Sequence, residues 1–363
     1  MFYHLLYPLH DVFSGFNVFR YLTVRSACAG STAFLFCVLL GPRFIRWLIR
    51  IRMGQQVRKE ACPDLYQLHQ GKQGTPTMGG VLVIGAAVGA SLLWGNLTSG
   101  LLWLTLAVMC GLGFVGLLDD YLKWVRQEST GLAARAKFLG QALVASALLF
   151  HLIGAAPSNG HLEIPFVKSA NIALGWWYVP FAMVVIIGSS NAVNLTDGLD
   201  GLATGCMILV AVAFAGMAYL TGHSQFAEYL GIYHAAQAGE LAVLCAAIAG
   251  ACLGFLWFNS YPATVFLGDT GALALGGAIG TVAVLIKKEL LLALVGGVFV
   301  VESLSVILQV GSYRLRDKKR VFLVAPLHHH FQMLGWAETK VTVRFWIIGA
   351  LLALISLTTL KIR

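Results

Sequence analysis

Long apolar runs separated by short polar connections set the pattern of the chain. Apolar windows of about 18 residues or more recur near 27–49, 78–96, 100–118, 135–154, 174–193, 202–221, 239–258, 264–286, 290–312 and 342–360. As a helix, each is long enough to cross a hydrocarbon layer of roughly 30 Å. The pattern predicts an all-α polytopic membrane protein with about ten transmembrane helices. No basic region precedes the first run and that run is long enough to span, so no cleaved signal peptide is expected. Residues 1–20, with Phe2, Tyr3, Tyr7, Phe13, Phe16 and Phe19, are expected to lie in the membrane interface.

Composition agrees with one integral membrane domain over residues 1–363, since 58% of the chain is hydrophobic and only 11% is charged. An even number of spans puts both termini on one side, so the odd-numbered connections share the other. Those connections and their flanks hold seven Lys and Arg between 43 and 72, four between 123 and 137, and seven between 314 and 344, which is 18 of 25. The positive-inside rule then makes the odd connections cytoplasmic and both termini periplasmic. The net charge of +9 is a topology signal, and no nucleic-acid partner is expected. Lys287-Lys288, on the outer side, is the chief exception. Seven cysteines form no CxxC pair and fall mostly in spans, so neither a zinc site nor a disulfide framework is expected.

Polar residues interrupt this pattern in a few places. Asn191, Asn194, Asp197 and Asp200 recur every third residue in Asn-Ala-Val-Asn-Leu-Thr-Asp-Gly-Leu-Asp. If that stretch is helical, both carboxylates share nearly one face and would meet one cation or polar ligand. Capping of the next helix is the plain alternative, and it accounts for one or two of the four. Asp119-Asp120 end the third run, at a helix C-terminus where acids are disfavoured unless a cation or basic partner compensates. A salt bridge to Lys123 or Arg126 competes with a cation site there. Asp269, between Gly268 and Gly271, has no Lys or Arg near it in sequence and should be neutralised or metal-bound. Glu302, deep in the ninth run, reads equally as a hydrogen-bonded core residue or a pathway residue.

The turn Lys72-Gln-Gly-Thr-Pro-Thr77-Met-Gly-Gly80 runs into the second span, where free amides and the helix dipole favour an anion; ordinary capping is an equal reading. His328, His329 and His330 cannot all face one ion from a helix or strand. Hydrogen bonding to an anion or sugar by one or two of them is preferred to a metal site. Gly111-Leu-Gly113-Phe-Val-Gly116 matches a dinucleotide fingerprint, but inside an apolar helix it reads as helix packing. Asp119, Asp120, Asp197, Asp200, Asp269, Lys72 and the histidines all fall in odd-numbered connections, hence on one face. Acids meeting basic and amide-rich loops suggest phosphate with a divalent cation, and no P-loop suggests ATP. The residues therefore point to a membrane-embedded, magnesium-dependent phosphoryl transferase with one cytosolic substrate and one lipid.

Asp119-Asp120, Asn191 to Gly201, Phe266-Leu-Gly-Asp269 and Pro326-Leu-His-His-His330 together resemble the signatures of the polyprenyl-phosphate N-acetylhexosamine-1-phosphate transferase superfamily. The match runs from residue 74 to the end of the chain, and the triple histidine makes it most similar to the bacterial phospho-N-acetylmuramoyl-pentapeptide transferases. Only 54–71 looks unlike the family. The resemblance implies transfer of phospho-MurNAc-pentapeptide from UDP-MurNAc-pentapeptide to undecaprenyl phosphate at the cytoplasmic face of the bacterial inner membrane. It also implies Mg2+, a homodimer, ten helices and a broken ninth helix. By matching motif, Asp269, Asp119 and Asp120 would hold the metal, and with His328 they form the catalytic set. Lys72, Thr77, Asn191, Asn194, Asp197, Asp200, His329 and His330 would bind substrate, with Phe266 stacked near the uracil. Asp119 is expected to orient the lipid phosphate for one direct displacement. Two alternatives remain: a sister transferase using UDP-GlcNAc, and an ion-coupled transporter. Five acids on one face, with no matching acids at the outer side, argue against the transporter.

Overall fold

The structure, a computed structural model, describes residues 1–51, 72, 74–126, 130–155, 160–165, 167 and 171–361. The unlike stretch 54–71 lies outside these residues. Short α1 (Phe2–Leu6) and two 3-10 turns lead into α2 (Leu22–Arg50). Then come α3 (Gly80–Trp94), α4 (Gly100–Arg126), α5 (Ala134–Ala155), α6 (Tyr178–Thr196), α7 (Leu202–Gly222), short α8 (Ser224–Leu230) and α9 (Gly239–Asn259). The chain continues through α10 (Gly268–Leu285), α11 (Glu289–Val295), α12 (Gly297–Leu315), short α13 (Leu327–Met333) and α14 (Glu338–Thr359).

Every apolar window carries helix. Among the described residues eight helices, α2, α4, α6, α7, α9, α10, α12 and α14, are long and apolar enough to cross a membrane. Helix α3 is shorter, at 15 residues, and α5 fills the remaining window. The ninth window is split, with α11 and α12 parting at Gly296. One feature departs from an all-α fold: β1 (His161–Glu163) pairs antiparallel with β2 (Asn171–Ala173). This hairpin lies between two spans, where alternating exposure leaves Leu162 buried between more exposed neighbours.

Helix α10 is central: every residue from Thr270 to Leu285 is buried, and it packs along α4 and α6 while α9 packs along α2 and α7. Small residues allow the close approach. A Cβ on Gly276 would lie 2.4 Å from the Ser189 carbonyl oxygen, and Ser189 and Ser190 donate across to the Gly276 and Leu273 carbonyls at 2.8 and 3.0 Å. The fingerprint glycines serve packing too, since a Cβ on Gly111 would meet Val144 and one on Gly113 would meet Ile84.

The end bearing the even-numbered connections holds acids, contrary to the expectation from sequence. Glu240 takes both guanidinium nitrogens of Arg25 at 2.7 Å, Glu163 pairs with Lys288, and Glu289 accepts from Tyr178. Lys287 sits 3.8 Å over the Tyr178 ring. Bases offset these acids locally. Between this end and the other, the buried stretch Thr270–Leu285 of α10 contains no ionisable residue, while α12 carries the buried Glu302.

Candidate active site

Two helix ends create the acidic cluster. Asp119 and Asp120 lie near the end of α4 and Asp269 in the first turn of α10, with a ligand oxygen from each within 4.8 Å of the others. The meeting depends on Gly116, one turn earlier, where an added Cβ would stand 2.3 Å from the Asp269 carbonyl oxygen. It depends also on Gly268, held at φ +75°, where a Cβ would crowd Asp120 Oδ2 at 2.8 Å and Thr77 Oγ1 at 2.9 Å. Asp120 accepts from the Thr270 amide and hydroxyl at 2.9 and 2.8 Å and from the Asp269 amide at 3.3 Å. It thereby serves the exposed amides at the start of α10, where the helix dipole favours an anion.

Asp119 Oδ1 accepts from the Leu132 amide at 2.7 Å, while Oδ2 faces Lys123 Nζ at 2.6 Å and Lys137 Nζ at 3.7 Å. Asp269 Oδ2 lies 2.7 Å from each of the same two ammonium groups. Asn194, its amide oriented to suit its neighbours, donates to Asp269 Oδ1 at 2.7 Å and accepts from Lys137 at 3.3 Å. Sequence leads one to expect an unpaired Asp269, and this is corrected in space: helices α4 and α5 bring it two lysines from 146 and 132 residues away. The alternative of a salt bridge from Asp119 to Lys123 is realised, and that ion pair uses the same atoms that a cation site would use.

A second group lies beside the first. Lys72 Nζ bridges Asp200 Oδ1 at 2.6 Å and Glu338 Oε1, Glu338 also accepts from the Asp200 amide at 2.8 Å, and Asp200 Oδ2 takes the Ala263 amide at 2.9 Å. Asp197 instead accepts from the Gly268 amide at 3.2 Å. The helical premise for 191–200 fails at Thr196, where α6 ends; the turn that follows, with Gly201 at φ +73°, sends the two carboxylates to different partners. Neither caps α7, whose N-cap is Gly201 without a side-chain bond. Enclosure, and next the charge of Asp269, push the Asp197 carboxyl up to about 7, against the pull of the Gly268 amide. Asn191 bridges helices, donating to Gln141 at 2.9 Å and to the Ile187 carbonyl at 2.8 Å.

The histidines diverge, as three in a row on a helix must. His328 is buried, with its amide 3.1 Å from Glu302 Oε1 and its Nδ1 3.1 Å from Oε2; its Nε2 lies over Gly198, where a Cβ would stand at 2.2 Å. His329 faces Gln332 at 2.9 Å, and burial followed by the charge of His328 holds its ring down to about 3, so it works neutral. His330 Nδ1 accepts from the Leu323 amide at 3.2 Å. In the 72–80 turn the amides of Gly79 and Gly80 are not turned to an anion, because they donate to the Phe266 and Leu267 carbonyls at 2.8 Å while Phe266 donates back to Pro76 at 2.8 Å. These bonds place half-buried Thr77 beside Asp120 of the acidic cluster and set the backbone of half-buried Phe266 against the turn.

Sequence reasoning assigned no site role to Lys137, Glu338 or Thr270. The first two lie in the opening turns of α5 and α14 and join the site only through contacts far apart in sequence. Glu302, open between two readings, is a partner of His328.

The family model described as "Glycosyl transferase family 4" matches residues 102–287, and "Phospho-N-acetylmuramoyl-pentapeptide-transferase signature 1" matches 72–84. Proteins named phospho-N-acetylmuramoyl-pentapeptide-transferase from Desulfosudis oleivorans and Desulfotalea psychrophila are 52% and 51% identical to the chain, each over 100% of both chains. One of the same name from Thermodesulfovibrio yellowstonii is 50% identical, again over 100% of both. The chain belongs to the phospho-N-acetylmuramoyl-pentapeptide-transferase family. The family signature spans Lys72, Thr77 and the glycines that seat α3 against the 266–267 backbone. The broader match holds the five aspartates of the candidate site, Asp119, Asp120, Asp197, Asp200 and Asp269. The oxygen-only donors of Asp119, Asp120 and Asp269 fit a hard divalent cation such as magnesium. Within the set, Asp119 Oδ2 and Asp269 Oδ2 are the oxygens turned toward lysines, whereas Asp120 is engaged by backbone.

Proposed function

We propose that the chain transfers phospho-MurNAc-pentapeptide from UDP-MurNAc-pentapeptide to undecaprenyl phosphate, releasing UMP and forming the first lipid-linked intermediate of peptidoglycan. The enzyme is a single domain of ten spans in the bacterial inner membrane, with periplasmic termini, a cytoplasmic site and a homodimeric state. The convergence of Asp119, Asp120 and Asp269 beside Lys72, Asn194 and His328, in a chain alike to its relatives over full length, carries the reading.

Asp269 and Asp119, assisted by Asp120, would hold magnesium, which when bound neutralises the diphosphate and the charge developing at phosphorus. The rest falls to the chain. Lys72, Asn194, Asp197, Asp200 and His328 bind the nucleotide sugar, Phe266 stacks near the uracil, and Thr77, Asn191, His329 and His330 complete the pocket. Asp119 orients the lipid phosphate. That monoester, with a second pKa near ~6, is already mostly ionised and barely needs a base, so a direct displacement suffices.

The test is a transfer assay on the purified chain in detergent, with labelled UDP-MurNAc-pentapeptide, undecaprenyl phosphate, and magnesium present or chelated. Lipid-linked label and UMP should appear together and only with the metal. Turnover with UDP-GlcNAc in place of the pentapeptide donor would move the chain to the sister activity. Label uptake into proteoliposomes without UMP would revive a transporter.

A further inference from the structure

Lys123 Nζ stands 2.6 Å from Asp119 Oδ2 and 2.7 Å from Asp269 Oδ2, with Asp120 Oδ1 at 3.9 Å. It therefore bridges the two carboxylates best placed to hold a cation. A magnesium ion taking the same two oxygens would sit about 2.1 Å from each, in space that the ammonium nitrogen fills. Both cannot be there together. We propose that Lys123 and the divalent cation are alternative occupants of one seat between Asp119 and Asp269, so that the cation enters only as the ammonium leaves. The proposal rests on the reading of this cluster as the metal site.

Charge and access both favour such an exchange. Three carboxylates facing Lys123 and Lys137 leave a net charge of −1 when all are ionised, which attracts a cation while two ammonium groups keep the free site from strong repulsion. The Lys123 side chain is 33% exposed, against 4% for Asp119 and 14% for Asp269. The flexible lysine stem can swing to water while the carboxylates stay in place. Lys137 differs: it is 2.7 Å from Asp269 Oδ2 but 3.7 Å from Asp119 Oδ2, so it flanks the seat without bridging it. Once expelled, the Lys123 ammonium is a mobile cation at the edge of the cluster, where a phosphate-bearing substrate would meet it. Metal and phosphate then assist each other's binding through this one side chain.

The test needs no turnover. Purified full-length chain is titrated with Mn2+, free metal is read by electron paramagnetic resonance, and lysines are acylated at each point and quantified by mass spectrometry. Acylation of Lys123 in the wild type should rise with Mn2+, with the midpoint of metal binding, and should rise more than acylation of Lys137. Lys123→Met should bind Mn2+ about fivefold more tightly or better, as expected if the ammonium holds the seat most of the time. Lys137→Met should tighten binding less. Lys123 acylation that is unmoved or suppressed by bound Mn2+ overturns the exchange, and because it is read in the wild type this outcome does not depend on a variant folding. Mn2+ binding that survives intact in Asp269→Asn overturns instead the metal site on which the exchange rests.

Discussion

Asp269 joins the first turn of α10 to two lysines and to Asn194, so the proposed site would depend on its charge rather than its bulk. Asp269→Asn keeps the size, and turnover should fall by about a thousandfold or more with the helical circular dichroism unchanged. Near-normal turnover at ordinary magnesium would remove Asp269 from the site, while recovery only at much higher magnesium would mark weakened metal binding offset by mass action. Asp119 decides the mechanism. A direct displacement needs both substrates at once, so lipid-stripped wild type should release no UMP and exchange none into the nucleotide sugar. A burst equal to the enzyme concentration, absent in Asp119→Asn, would make that carboxylate a nucleophile. Glu302 receives the His328 amide and faces its Nδ1, so an orienting role through His328 is what its variants would test. Glu302→Gln retains an acceptor and should lose about tenfold in kcat, and Glu302→Leu about a hundredfold. Equal losses in the two variants would count against an orienting role.

The elements were legible because crossing a membrane demands long apolar helices, and each apolar window indeed carries helix. Their breaks were less so. The break between α11 and α12 was implied by the resemblance and falls at the Gly296-Gly297 pair inside the apolar run at 290–312, whereas the end of α6 at Thr196 is set by the glycine turn after it. At the site, the aspartates and histidines stood out as polar residues in apolar surroundings. Lys137 and Glu338 did not, because their partners are fixed by how α5 and α14 dock rather than by local spacing. Glycines carry that docking, and they divide into two kinds. A Cβ at Gly116 would press on backbone atoms of Asp269 and Thr270 at 2.3 to 2.7 Å, whereas one at Gly85 meets nothing within 4 Å. Gly116→Ala should cost about 1–3 kcal/mol and, by shifting Asp269, at least about tenfold in turnover. Gly85→Ala should leave both near wild type. Unfolding midpoints in detergent with the transfer assay separate the two, and equal tolerance would mean that α4 and α10 are not in backbone contact.

For the whole molecule, sidedness rests on charge. The 18-to-7 split of Lys and Arg treats all basic residues alike, yet several on the minority side are engaged where they stand. Arg25 is clasped by Glu240, Lys288 is paired with Glu163, and Lys287 and Lys361 lie over the rings of Tyr178 and Tyr229. At the other end, Arg316, Lys318, Lys319 and Arg320 are exposed. In the folded chain Lys287 and Lys288 have local partners, and the pair stands as the chief exception to a rule that counts Lys and Arg and gives little weight to acids. The contacts also sort the connections by end. Lys72, Asp120, Asp200, Ala263 and Glu338 interlock with the odd-numbered set, while Arg25, Asn96, Glu163, Tyr233 and Lys288 interlock with the even-numbered set. If the first end is cytoplasmic, a reporter inserted in 222–236 and one fused after Arg363 should both be periplasmic, readable as alkaline phosphatase activity without fluorescence from a cytoplasm-only reporter. A reporter placed in 316–320 should give the opposite result. Cytoplasmic signals at both of the first two positions would invert the protein and move the acidic cluster away from a cytosolic nucleotide sugar. A split between those two would instead break the even count of spans, and α11 with α12, parted at Gly296, is where the miscount would lie.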